Sequence, residues 1–264
     1  MTTIAMSAQA VDTFPRAATP GERRPIDRSA ERHKDFMLLG RLTGLFFLLT
    51  YATSIPPVLT FYVPALSDPA FVLGGALDMG LTWGAILEVF LIVSNIATAL
   101  AAYPVLKRRF PVLSLAFVSA RIMESMFIGM GIVAVLALGT LRAQAGVADP
   151  AAMTAVGQAL VALHDWTFKL GPGVVVGFGN GLILGYMMWK TRLVPRFLSI
   201  LGLIGGPALL ASSAAIMFGY IEIGSTLQGL AVAPEFLWEL LLGIWLLVRG
   251  FSPAALTAPD AHEA

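Results

Sequence analysis

The sequence predicts an all-α, polytopic membrane protein with six transmembrane helices. Three observations predict it. The 264-residue chain is 57% hydrophobic and 12% charged, with a mean hydropathy of +0.81. A soluble domain carries about 25% charged residues, so the bilayer is this chain's solvent. Six apolar runs follow one another, each near the ~20 residues that cross ~30 Å of hydrocarbon. The basic clusters fall only on alternate connections.

Residues 1–36 are polar and irregular. Pro15, Pro20 and Pro25 stand among Arg16, Arg23, Arg24, Arg28, Arg32 and Lys34. No apolar core follows a short basic start, so a disordered basic cytoplasmic tail is expected rather than a cleaved signal peptide. Binding of lipid headgroups or protein is the sharper alternative for this tail. The transmembrane domain then occupies residues 37–251, and residues 252–264 form a second disordered tail. The expected spans are Met37 to Tyr62, Leu81 to Tyr103, Val112 to Leu141, Trp166 to Trp189, Phe197 to Tyr220 and Ala233 to Val248. Pro56 and Pro57 bend or end the outer part of the first.

The connections orient these spans. Lys107, Arg108 and Arg109 follow the second, Lys190, Arg192 and Arg196 the fourth, and Arg249 the sixth. The other connections hold Asp68, Asp78, Asp149 and Glu222, with Arg142 as their one basic residue. Under a six-span count every basic cluster lies on one side. The positive-inside rule then puts both termini in the cytoplasm, with a bacterial plasma membrane as the location.

Two outer connections are long. Pro64 to Gly80 either lies on the surface or partly re-enters. Arg142 to Asp165 carries Met153, Val156, Leu160, Val161 and Leu163, spaced for an interfacial amphipathic helix; a lid over an outward cavity is the alternative. Gly173, Gly177, Gly181 and Gly185 recur every four residues in the fourth span, which predicts close packing on a neighbour. A faint echo links Asn95, Tyr103, Lys107 and Pro111 to Asn180, Tyr186, Lys190 and Pro195, as in a parallel repeat.

The charges inside the spans are the candidate site. Arg41 can snorkel from the end of its helix. Asp165, Lys169 and Glu235 lie near the outer ends of theirs, where an interfacial position would explain them. Glu88, Arg121, Glu124 and Glu239 are deeper. Each such charge is worth about +2.5 to +3.5 kcal/mol at a helix centre, so the four must face one another, backbone or water. Arg121 and Glu124 are spaced i,i+3, and Glu235 and Glu239 i,i+4, so each pair shares a helix face. The expected network has the second, third and sixth spans converging. Arg121 then lies between Glu124 and either Glu88 or Glu239, and Lys169 caps Glu235. Carboxylates exceed cations here, which leaves one or two to be held in the neutral form. Asn95 and Asn180 support the network as helix–helix glue, and His164 lies near its outer edge beside Asp165.

Several function classes fall away. The net charge of +1 and the lack of a basic face argue against a nucleic-acid partner. Without cysteine there are no disulfides, thiolate nucleophiles or iron–sulfur ligands. Of His33, His164 and His262, two lie in the tails, so no intramembrane haem and no other cofactor is expected. A metal held by Glu88, Glu124 and Glu239 is opposed by Arg121, so none is expected. HExxH, GxSxG and P-loop motifs are absent. His164-Asp165, adjacent in sequence, is poor geometry for a catalytic dyad.

Several short motifs carry a family resemblance. They are Arg41-Leu42-Thr43-Gly44, Glu88 with Asn95, Tyr103-Pro104, Ala120-Arg121-Ile122-Met123-Glu124 and Leu170-Gly171-Pro172-Gly173. They continue through Leu193-Val194-Pro195-Arg196, Pro234-Glu235 and Trp238-Glu239 to Gly243-Ile244-Trp245-Leu246 and Gly250-Phe251. In this order and spacing the chain resembles the bacterial and archaeal membrane family known as domain of unknown function 4386, from about Arg41 to Phe251. The resemblance implies a multi-pass integral membrane protein and no reaction.

Three readings follow. The first is small-solute or proton and ion handling through a charged intramembrane cavity. The second is a non-catalytic structural or assembly component, whose ion pairs fix helix packing or meet a second copy or membrane partner. The third, an enzyme acting on a lipid, ranks last for want of a catalytic constellation. Beyond the lipid bilayer itself, a homo-oligomer or another membrane protein is the candidate partner. Reporter fusions at Lys107, Ala148 and Arg192 are expected to read inside, outside, inside; any other order ends the six-span arrangement.

Overall fold

The computed structural model describes residues 28–252, with side chains from Lys34 onward. The expected tails therefore lie outside the described residues, except for residues 28–36 and Ser252. Residues 28–36 are helical, since helix α1 (Arg28–Pro56) begins well before Met37. Among the described residues there is no strand. Six helices are long and apolar enough to cross a membrane.

Each span ends for a local reason. Pro56 and Pro57 do not stop the first one. The chain widens into a π-helical turn, Pro57–Phe61, and closes with the short α2 (Val63–Ser67). Helix α3 (Met79–Leu106) starts where the Asp78 carboxylate accepts from the Gly80 and Leu81 amides at 2.7 and 3.2 Å, an N-cap. Helix α4 (Pro111–Arg142) begins with proline at its first position, where the missing amide is harmless.

The expected interfacial helix is not separate. Helix α5 (Pro150–Phe168) runs without a break through π-helical stretches Lys169–Val175 and Gly177–Leu184 into α6 (Gly185–Thr191). The continuous rod has 42 residues, about 60 Å by helical rise, twice the hydrocarbon thickness. Its outer part packs on α4, with Met153 and Gly157 buried. Val156 and Leu163 face outward, so the apolar residues expected to share one face do not. Helix α7 (Arg196–Met217) and helix α8 (Thr226–Arg249) complete the bundle.

The spans form a ring in chain order. Helix α1 packs on α3, α3 on α4, α4 on the π-helical rod, the rod on α7, α7 on α8, and α8 back on α1. The outward surface is apolar, with Val112, Met126, Val133 and Phe197 exposed, as lipid requires. The glycine stripe seats the rod on α7. A Cβ at Gly177 would lie 3.0 Å from the Gly206 carbonyl, and one at Gly181 would run into the Gly206 Cα. This is the small-residue packing expected for the stripe.

The interior is divided. Toward the basic connections it is filled by apolar side chains, including Phe47, Phe117, Leu184, Met187, Trp238 and Leu246. At the opposite end, the connection after α2 folds over α4 and α5, with Phe71 and Val72 buried. Arg142 holds it there. Its Nε donates to the Ala76 carbonyl at 2.9 Å, its Nη1 donates to the Phe71 carbonyl, and its guanidinium lies 4.2 Å from the Phe71 ring centroid. The one basic residue on this face is thus occupied with backbone carbonyls.

The ring closes where Gly44 meets α8. A Cβ there would run into the Leu247 amide and lie 2.6 Å from the Gly243 carbonyl, both backbone. Gly44→Val is expected to lower stability in detergent by about 1–3 kcal/mol, as overpacking does. Gly129→Ala, whose Cβ would meet only the Ile92 Cδ1 at 3.8 Å, is expected to leave the melting temperature unchanged or raise it.

Candidate functional site

The polar belt lies between the apolar plug and the cap formed by the connection after α2, and it consists of three groups. The first is centred on Arg121, which is 2% exposed on the inner face of α4. Its Nη1 donates to Glu124 Oε2 at 2.8 Å, one turn away on the same helix. Its Nη2 donates to Asn95 Oδ1 on α3 at 2.6 Å, and its Nε reaches the Asn95 carbonyl at 3.4 Å. Asn95 Nδ2 in turn donates to Glu124 Oε1 at 3.0 Å. The three side chains form a closed cycle in which cation, anion and amide satisfy one another. The ring centroid of Phe47 on α1 lies 5.7 Å from the guanidinium carbon.

The second group is on α8 and the rod. Helix α8 begins at Thr226 rather than Ala233, so Glu235 lies about 14 Å inside by helical rise. It is not interfacial: it is 2% exposed, and neither carboxylate oxygen has a hydrogen-bond partner. It packs on glycines, its Oε2 lying 2.8 Å from where a Cβ at Gly181 would be and 2.7 Å from one at Gly205. One turn on, Glu239 is half-buried and accepts from Asn180 Nδ2. Asn180 Oδ1 has no partner. The Asn180 carbonyl accepts from the Gly185 amide, in the i→i+5 register of the π-helix, and from Trp238 Nε1 at 3.2 Å. The widened helix thus turns both the side chain and the carbonyl of Asn180 toward α8. Beside Glu239, the Tyr51 hydroxyl donates to the Phe236 carbonyl at 2.6 Å. No hydrogen bond joins Glu235 to Arg121, and Glu239 bonds Asn180 instead.

The third group is Glu88, Tyr62 and His164. The Tyr62 hydroxyl donates to Glu88 Oε2 at 2.9 Å, and the Tyr62 ring meets His164 edge-on at 5.7 Å. His164 Nδ1 is buried without a hydrogen bond, 3.8 Å from Asp165 Oδ1. Lys169 is buried with its ammonium 4.6 Å from the Trp166 ring centroid.

Several expected arrangements are therefore corrected. Helices α3, α4 and α8 do not pack as a trio; their charges reach the same interior from separate points of the ring. Arg121 is held by Glu124 and Asn95, while Glu88 turns away to Tyr62. Lys169 does not cap Glu235; it leans on its own helix. The two asparagines of the sequence echo differ in partner. Asn95 binds the helix that follows it, whereas Asn180 binds α8. Among the described residues no three His, Asp or Glu converge as metal ligands.

The family profile described as domain of unknown function (DUF4386) matches residues 42–250. The chain belongs to this family. The match spans all six transmembrane helices and every residue of the polar belt. No curated protein and no solved structure matches the chain.

The sequence reading missed Tyr62, Trp238 and Tyr51. Each partner is distant in sequence or is a main-chain carbonyl, so no local spacing signals the contact. Arg121→Ala is expected to destabilise the protein by about 3–5 kcal/mol, because Glu124 is left buried and unpaired. The joint change Arg121→Met with Glu124→Gln is expected to recover much of that loss, read as melting temperature in detergent.

Proposed function

We propose that the protein handles protons within the membrane through the Glu235–Glu239 pair. One observation carries this reading: the Glu235 carboxyl is buried mid-span and no donor reaches either oxygen. An ionised carboxylate in such a setting is strongly disfavoured. The guanidinium that would neutralise it is already committed to Glu124 and Asn95. The surroundings add acceptors instead: Asn180 Oδ1 and the second carboxylate, Glu239. A pocket rich in acceptors and poor in donors binds what supplies donors, and a proton is the smallest such species.

Chemically, Glu235 carries the proton as a neutral acid, and Glu239, one turn away, is the group that exchanges it. The π-helical stretch beside the pair also supports a working role, since such widenings recur at functional sites. The clustering of basic residues at one end supports placing that end in the cytoplasm of a prokaryotic cell, with the protein in its plasma membrane.

A second reading, a purely structural or assembly role, is favoured by the Arg121–Glu124–Asn95 cycle alone. There every charge is paired, as in a packing device. It leaves Glu235 unexplained.

Proteoliposomes with an internal pH dye and an imposed potassium diffusion potential separate the two. The parent protein is expected to acidify the lumen faster than empty vesicles do. Glu235→Gln is expected to slow this by about 100-fold, the loss typical of removing a proton-transfer group, at an unchanged melting temperature. Flux equal to that of empty vesicles, or undiminished in Glu235→Gln, would refute the proposal.

A further inference from the structure

The geometry points to a second site, on the basic face: a crevice that binds a phosphate-bearing anion, supplied as the headgroup of an acidic phospholipid. The crevice encloses about 520 Å³ where the end of α8 meets the turn between α6 and α7. This is within the range of small-molecule sites, roughly 300–1,000 Å³. Three arginines line it, Arg192, Arg196 and Arg249, and among the described residues no acidic one does. Among the described residues none of the three has a carboxylate partner. Two are steadied by indoles: the Arg196 guanidinium lies 5.1 Å from the Trp189 ring and that of Arg249 lies 6.0 Å from Trp245. A guanidinium over an aromatic face keeps its N–H edge available, and that edge fits phosphate oxygens.

The backbone gives an independent sign. Arg192 sits at φ 55°, the one positive-φ residue other than glycine among those described. It closes α6 with its amide donating to the Met188 carbonyl at 3.0 Å. Glycine is the usual residue at such a helix end, because a side chain is disfavoured there. The sequence instead places an arginine at that point, aimed into the crevice beside two others. The surrounding chain is fixed: the Ser252 amide donates to the Leu193 carbonyl at 2.8 Å, tying the end of α8 to this turn.

The apolar part of the lining favours a lipid over free phosphate. Met37, Trp245 and Phe251 form the wall alongside the arginines, and tryptophans mark the level of the headgroups. Phosphate goes to the guanidinium edges, and the glycerol and first methylenes lie on the apolar wall. Basic pockets between transmembrane helices hold acidic headgroups in this way.

The test uses the full-length protein in neutral detergent, with bound lipid read by native mass spectrometry. Short-chain phosphatidylglycerol is expected to bind saturably and to weaken with salt. Phosphatidylcholine, whose headgroup has no net charge, is expected to bind several-fold more weakly. Arg192→Gly is expected to weaken phosphatidylglycerol about fivefold, the worth of one arginine at a membrane surface. Its melting temperature should not fall, because glycine suits this backbone. Arg196→Gln, exposed on the first turn of α7, gives a second reading. Equal binding of the two lipids, or parent-like binding by both variants, overturns the site. Inorganic phosphate competing as well as the lipid overturns the lipid assignment and makes this a free-phosphate site.

Discussion

The structure depends on how the three edges of one guanidinium are used. Arg121 lies inside a ring of six helices, where no water shell is available to it. It is tolerated because Glu124 neutralises it and Asn95 accepts from the rest of its fork, while Asn95 also donates to Glu124. That cycle joins α3 to α4 with a defined rotation. It also removes the interior's main positive charge from further bonding. What Glu235 and Glu239 can do follows from that, because they are left without its hydrogen bonds.

The ring interior then has two different halves. The half near the basic connections is a dry plug of aromatic and aliphatic side chains, with Trp238 and Leu246 fully buried. The middle is polar, but unevenly so. Around Arg121 every charge has a partner; the Glu235 carboxyl has none. Close glycine packing makes this possible, because Gly181 and Gly205 let the Glu235 carboxyl sit against backbone where any larger residue would exclude it.

Much of this was legible in the sequence. Span number followed from apolar run length and from the alternation of basic connections, since both are set by the bilayer. The Arg121–Glu124 pair was readable because an i,i+3 contact is local. The glycine stripe of the fourth span was readable as a packing face, though not its partner α7. The neighbour of each charge across helices was not readable. Glu88 turns to Tyr62 rather than to Arg121, because which helix lies beside which depends on ring closure rather than on depth. The length of the rod was hidden for another reason: the expected span starts at Trp166, whereas the helix runs without a break from Pro150, with Pro172 taken up in a π-helical stretch.

A ring wound in chain order has one non-local seam. Every span after the first packs on the one made just before it, so the growing chain can assemble by adding neighbours as they leave the ribosome. Only the contact of α8 with α1 joins the two ends of the domain. Helix α8 is also the helix that carries Glu235 and Glu239. The acceptor pocket is therefore absent from every shorter nascent chain, and it comes into being in the same event that closes the ring. Until then Asn180 faces an open seam, and the membrane holds an incomplete ring with no carboxyl pair.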